Sequence, residues 1–80
     1  MSMKKELGVV YKTIEQIVQK LLRKKIKKRT DPLHRNELWN EIQEEGKKVL
    51  EKLRIPSEKG ELALQEAFEE EWNEILRKRN

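Results

Sequence analysis

Apolar side chains recur every three or four residues along nearly the whole chain, the spacing that lays them on one face of an α-helix. Met3, Leu7, Val10, Tyr11, Ile14, Ile17, Val18, Leu21 and Leu22 share one stripe, which predicts a helix over about 3–28 with Ser2 as its N-cap. The stretch "RTDPL" interrupts the pattern. Asp31 suits an N-cap there, and Pro32 suits the first helical position, where its missing N–H costs nothing. A second stripe of Leu38, Trp39, Ile42, Gly46, Val49, Leu50 and Leu53 predicts a helix over about 32–53. "RIPSEKG" is the next break, with Ser57 as cap of a third helix over about 58–78, whose inner face is Leu64, Ala67, Phe68, Trp72, Ile75 and Leu76. Gly46 lies inside its own stripe. A mid-helix glycine costs about 1 kcal/mol relative to alanine, so its position points to a close helix–helix contact.

Both connections are short, and short connections make neighbouring helices antiparallel. The fold class that follows is all-α: one helical domain over residues 1–80, an up-down-up three-helix bundle, with pairing into a dimeric bundle as the main variation. The expected core is Leu7, Ile14, Ile17, Leu21, Leu38, Trp39, Ile42, Val49, Leu53, Leu64, Phe68, Trp72 and Ile75. The word "WNEI" appears twice, at 39–42 and 72–75, and holds both tryptophans of the chain. In each copy Trp and Ile fall on the inner stripe, three residues apart, while the flanks do not repeat: Asp31 and Pro32 would align with Leu64 and Gln65. The word marks two helices meeting one packing problem with the same residues, since each Trp brings a large apolar area to a thin core.

Composition narrows the class. At 80 residues the chain buries a modest share of its surface, and 42% charged against 35% apolar residues leaves little material for a core. No cysteine is present, which removes disulfides, thiolate nucleophiles and thiolate metal sites. "MSMKKELGVV" lacks the apolar run of a secretory signal, and no run approaches a membrane span. A soluble, cytoplasmic protein is the expectation.

Charge is unevenly placed. Residues 1–35 hold eleven Lys/Arg against three Asp/Glu, a net of +8, and residues 36–80 hold eight against twelve, a net of −4. In "LLRKKIKKRTD" the like-charged i,i+4 pairs Lys20/Lys24, Arg23/Lys27, Lys24/Lys28 and Lys25/Arg29 each cost a few tenths of a kcal/mol. A helix C-terminus, nearby Glu69, Glu70, Glu71 and Glu74, or an external polyanion would offset that cost. If the last residues share a pole with this run, Arg23, Lys24, Lys25, Lys27, Lys28, Arg29, Arg77, Lys78 and Arg79 form a candidate polyanion-binding cluster.

Catalytic motifs are missing. The sequence has no Gly-rich phosphate loop, GxSxG elbow or HExxH. His34 is the single histidine, too little for a catalytic zinc, which takes three protein ligands. No enzyme activity, cofactor, metal or small-molecule site is expected. Two readings remain. The first is a non-enzymatic interaction or regulatory module that binds a protein partner or itself, using apolar surface that three helices do not hide; Tyr11, Leu22, Ile26, Leu50 and Leu62 are the candidates. The second is a nucleic-acid-binding protein that uses the basic pole. The first is preferred because stacking aromatics, which single-strand binders combine with a basic groove, are committed to the core.

Overall fold

A computed structural model describes residues 3–26 and 32–79. It is an all-α helical bundle of one short helix and three substantial ones: α1 (Met3–Leu7), α2 (Val9–Ile26), α3 (Pro32–Lys52) and α4 (Ser57–Arg79). The expected caps Ser2 and Asp31, and the expected end of the first helix at 28, lie outside the described residues.

The first helix is not continuous. Gly8 adopts φ +57° and separates α1 from α2. Its carbonyl accepts the first bonds of α2, from the amides of Tyr11 (3.1 Å) and Lys12 (3.4 Å). Glycine enters this left-handed region without the steric cost that a Cβ imposes, so it serves as both the stop of α1 and the start of α2. The resulting bend lays α1 against α4, where Glu6 pairs with Lys59 at 3.4 Å.

α3 and α4 form an antiparallel hairpin with a reciprocal fit. A Cβ at Gly46 of α3 would meet the Leu64 methyls at 2.8 Å, and one at Gly60 of α4 would meet the Leu50 methyls at 2.7 and 2.8 Å. Each helix offers a glycine notch and, four residues on, the leucine that fills the partner's notch. The turn between them is a Schellman motif: the Arg54 amide donates to the Glu51 carbonyl (3.1 Å) and the Ile55 amide to the Leu50 carbonyl (3.0 Å), with Arg54 itself at φ 58°. Pro56 then supplies the first acceptor of α4, bonded by the Gly60 amide at 2.9 Å, so Ser57 is the first helical residue and not the cap.

α2 packs against both helices of this hairpin. The Tyr11 hydroxyl faces the Glu70 carboxylate, and Arg23 lies 3.8 Å from Glu71. Farther on, Lys25 reaches Glu45 of α3 at 3.1 Å.

Packing against both helices explains why Tyr11, Leu22 and Ile26 are buried instead of forming an apolar partner surface. Ile14, Val18, Leu22 and Ile26 make one i,i+4 ridge, and the hairpin covers its whole length. Leu50 is buried as well, because it fills the Gly60 notch. In the opposite direction, Leu53, expected in the core, is 47% exposed: the chain turns away at Arg54 before α4 can cover it.

The remaining core is Leu38, Ile42, Ala63, Leu64, Ala67, Phe68 and Trp72. Leu7, Ile17, Leu21, Trp39, Val49 and Ile75 are half-buried at its margin. Phe68 is held between the two tryptophans, its ring centroid 5.2 Å from Trp39 (tilted 47°) and 6.1 Å from Trp72 (18°, stacked). Arg35 covers the Phe68 ring at 5.3 Å. The two "WNEI" words thus contribute the two sides of one aromatic stack, with Asn40 and Asn73 facing out.

Candidate functional site

The basic segment carries the densest run of positive charge in the chain. Side chains are described for five of its nine candidate cations, and three of the five lie beside carboxylates: Arg23 with Glu71 (3.8 Å), Lys25 with Glu45 (3.1 Å) and Arg77 with Glu74 (3.2 Å). Lys24 and Lys78 are exposed, with no ion pair among the described residues. Lys27, Lys28 and Arg29 lie outside the described residues, and of Arg79 only the helical backbone is described. Arg35 adds a further pair with Glu69 at 3.7 Å. Glu71 is buried, whereas the Arg77–Glu74 pair is exposed, and exposed pairs stabilise by about 0–1 kcal/mol each. Their effect on the field is larger than their effect on stability, because each carboxylate cancels a charge that a polyanion would otherwise meet.

Of the apolar candidates, Leu62 alone stands out, 55% exposed midway along the first half of α4. Beside it is an open groove of ≈ 390 Å³ lined by Trp39 and Gln43 of α3 and by Glu58, Glu61, Leu62 and Gln65 of α4. Among the described residues none of the lining comes from α1 or α2, so this is a face of the hairpin that α2 leaves open. Its lining joins one aromatic and one aliphatic side chain to two amides and two carboxylates. Glu61 shares its charge with Lys47 at 3.3 Å, whereas Glu58 has no ion pair among the described residues.

A second groove, ≈ 290 Å³, lies at the hinge and is lined by Gly8, Tyr11, Lys12 and Glu15. Next to it in the chain are Val9, 81% exposed, and Val10, at the border of exposure. The Tyr11 phenol is pushed well above the usual tyrosine range, by burial first and then by the negative charge of Glu70, Glu66 and Glu15, with the hydrogen bond to Glu70 adding to it. It stays a neutral donor throughout the physiological range.

The Val9 edge and the Trp39 side of the groove escape sequence reasoning for different reasons. The helical stripe assigns Val10 inward as long as α1 and α2 are one helix, and the break at Gly8 turns this corner outward. Trp39 does lie on the inner stripe, but a tryptophan is wider than the stripe and one edge reaches the open face. Among the described residues no group of three His, Cys, Asp or Glu side chains could hold a metal ion, and no helix is long and apolar enough to cross a membrane. The chain matches no protein-family model, no curated protein and no solved structure.

Proposed function

We propose that this chain is a non-catalytic helical interaction module that holds a protein partner in the Trp39/Leu62 groove. The observation that carries this reading is the exposure of Leu62 beside Trp39 in a wall otherwise made of Gln and Glu. Exposed apolar side chains set among polar ones suit a protein contact, with an aromatic side chain as the natural anchor point. The rim carboxylates of Glu58 and Glu61 favour a partner that brings an aliphatic residue flanked by Lys or Arg. The nucleic-acid alternative loses weight in proportion to the cations already facing Glu71, Glu45, Glu69 and Glu74.

Tryptophan fluorescence tests the reading, since Trp39 lines the groove. Titration with a helical peptide carrying one leucine between lysines should shift the emission and saturate. The same peptide with glutamates in place of lysines should bind at least about tenfold more weakly, and Leu62→Asp should remove the response while the helical circular dichroism is unchanged. A labelled oligonucleotide that binds more tightly than either peptide, with a steep salt dependence, would replace this reading with the nucleic-acid one.

A further inference from the structure

We infer that the partner of the groove is a second copy of this chain, docked by a reciprocal exchange in which the Val9 edge of each copy enters the Trp39/Leu62 groove of the other. The inference rests on the groove being a binding surface and names what fills it.

The described residues contain a complement for the groove. Val9 is the most exposed of the large hydrophobics at 81%, and it lies between the exposed cations Lys5 and Lys12. This is the chemistry that the groove selects, an aliphatic anchor between positive charges, facing Leu62 and Trp39 between Glu58 and Glu61.

The symmetry of the pair follows from where the two surfaces lie. The ion pair of Glu6 with Lys59 places α1 beside the first turn of α4, and Glu58, Glu61 and Leu62 of the groove belong to the first two turns of the same helix. Donor and acceptor surfaces therefore both adjoin the start of α4, although Val9 remains exposed and does not dock within its own chain. Surfaces placed in this way can be exchanged about a single two-fold axis, edge to groove and groove to edge, which closes the assembly at two copies. Direct groove-to-groove contact is disfavoured, because it brings Glu58 and Glu61 against their own images.

Sedimentation equilibrium across low to several-hundred-micromolar protein tests this. A monomer of 9.7 kDa should give way to twice that mass as concentration rises, and added salt should weaken the association. Val9→Asp and Leu62→Asp should each lower the association constant at least about tenfold. Both replace exposed side chains, and circular dichroism checks that the helices persist. Lys12→Glu and Glu58→Lys should each weaken pairing, and the two together in one chain should restore it, a rescue that a non-specific loss of apolar surface would not show. A protein that stays monomeric at every concentration, or a dimer that tolerates Val9→Asp, overturns the inference. If the monomeric chain still binds the lysine-flanked peptide through Leu62, only self-pairing falls. If it binds neither, the groove reading falls as well.

Discussion

The α3–α4 hairpin and the α1–α2 arm are built from similar amounts of Leu, Ile and Val, yet they are held differently. In the hairpin, every contact has a geometric reason to be where it is: two glycines receive two leucines, three aromatic rings stack, and a left-handed turn closes the end. Sliding α3 past α4 would lose both notches together. The arm has one aliphatic ridge against the hairpin, fixed at its ends by polar contacts, Tyr11 with Glu70 and Lys25 with Glu45. A ridge of repeating Ile, Val and Leu tolerates small displacements that a glycine notch does not. The hairpin should therefore form the stable centre of the molecule, with the arm responding to conditions.

The largest test of this difference is Phe68→Ala. It removes the ring that joins both tryptophans and lies under Arg35, and a buried Phe→Ala change typically costs 3–5 kcal/mol. For a chain of this size that is a large part of total stability. Chemical denaturation should show a much lower midpoint, or no cooperative transition. A loss below about 1 kcal/mol would mean that the aromatic stack is not what holds the hairpin.

A smaller effect is expected at the notches. Gly46→Ala improves helix propensity by about 1 kcal/mol. Its Cβ, however, would lie 2.8 Å from two methyls of Leu64, which is itself buried and has little room to yield. Overpacking of this kind costs about 1–3 kcal/mol. Gly46→Ala should lower the denaturation midpoint, and shortening the neighbour with Leu64→Val should make the same alanine better tolerated. If Gly46→Ala is stabilising on its own, the notch is slack and the hairpin is no better specified than the arm.

The arm is best probed by pH. Tyr11 is the only tyrosine of the chain, and its folded-state pKa is raised above the unfolded value of about 10. The folded form therefore holds the phenolic proton more tightly, and this stability is fully present below pH 10. Above pH 10 it is lost at up to about 1.4 kcal/mol per pH unit until the folded pKa is reached. Tyr11→Phe should be slightly less stable than the parent at pH 7, having lost the polar contact with Glu70, and should lose less further stability between pH 10 and 11. Absorbance at 295 nm gives a direct check, since phenolate should appear with unfolding and not before it.

The turn at Arg54 allows the contrast to be sharpened by stabilising one side. A non-glycine residue in the left-handed region costs about 1–2 kcal/mol. Arg54→Gly removes that cost, offset in part by the greater freedom of glycine in the unfolded chain. A net gain of about 1 kcal/mol would raise the melting temperature by about 4–8 °C. The pH response of Tyr11 should be unaffected.

What the sequence discloses follows the same division. The helical periods, Pro32, the break after Leu53 and the glycine inside the second stripe are local signals, and they locate the hairpin's elements and its close approach. The docking of α2 is not local: nothing in the spacing of Ile14, Val18, Leu22 and Ile26 says which helices their ridge packs against. That uncertainty is also why apolar residues with full helical periodicity looked like spare surface. Gly8 gave a visible signal in "ELGVV", but an isolated glycine in a helical pattern is tolerated as often as it breaks one, and only the contact of α1 with α4 decides between the two. The candidate surfaces were the least legible part, because Leu62 and Val9 are ordinary residues whose exposure depends on where other helices end.

The smallest effect concerns α1, and it bears on how the Val9 edge is held. Five residues are too few to form a stable helix alone. The described contacts that dock α1 include the half-buried Leu7 and the ion pair of Glu6 with Lys59, whose side chains are both about half exposed. Glu6→Gln should therefore change global stability by no more than a few tenths of a kcal/mol. Local opening is a different quantity, and in a segment with so few contacts its free energy is close to zero, so a few tenths is a large fraction of it. Amide exchange at residues 4–7 should accelerate measurably while the amides of Leu64, Phe68 and Ile42 keep their protection. If α1 and the hairpin core accelerate together, the arm and the hairpin unfold as one unit, and the distinction between a fixed centre and a responsive arm does not hold.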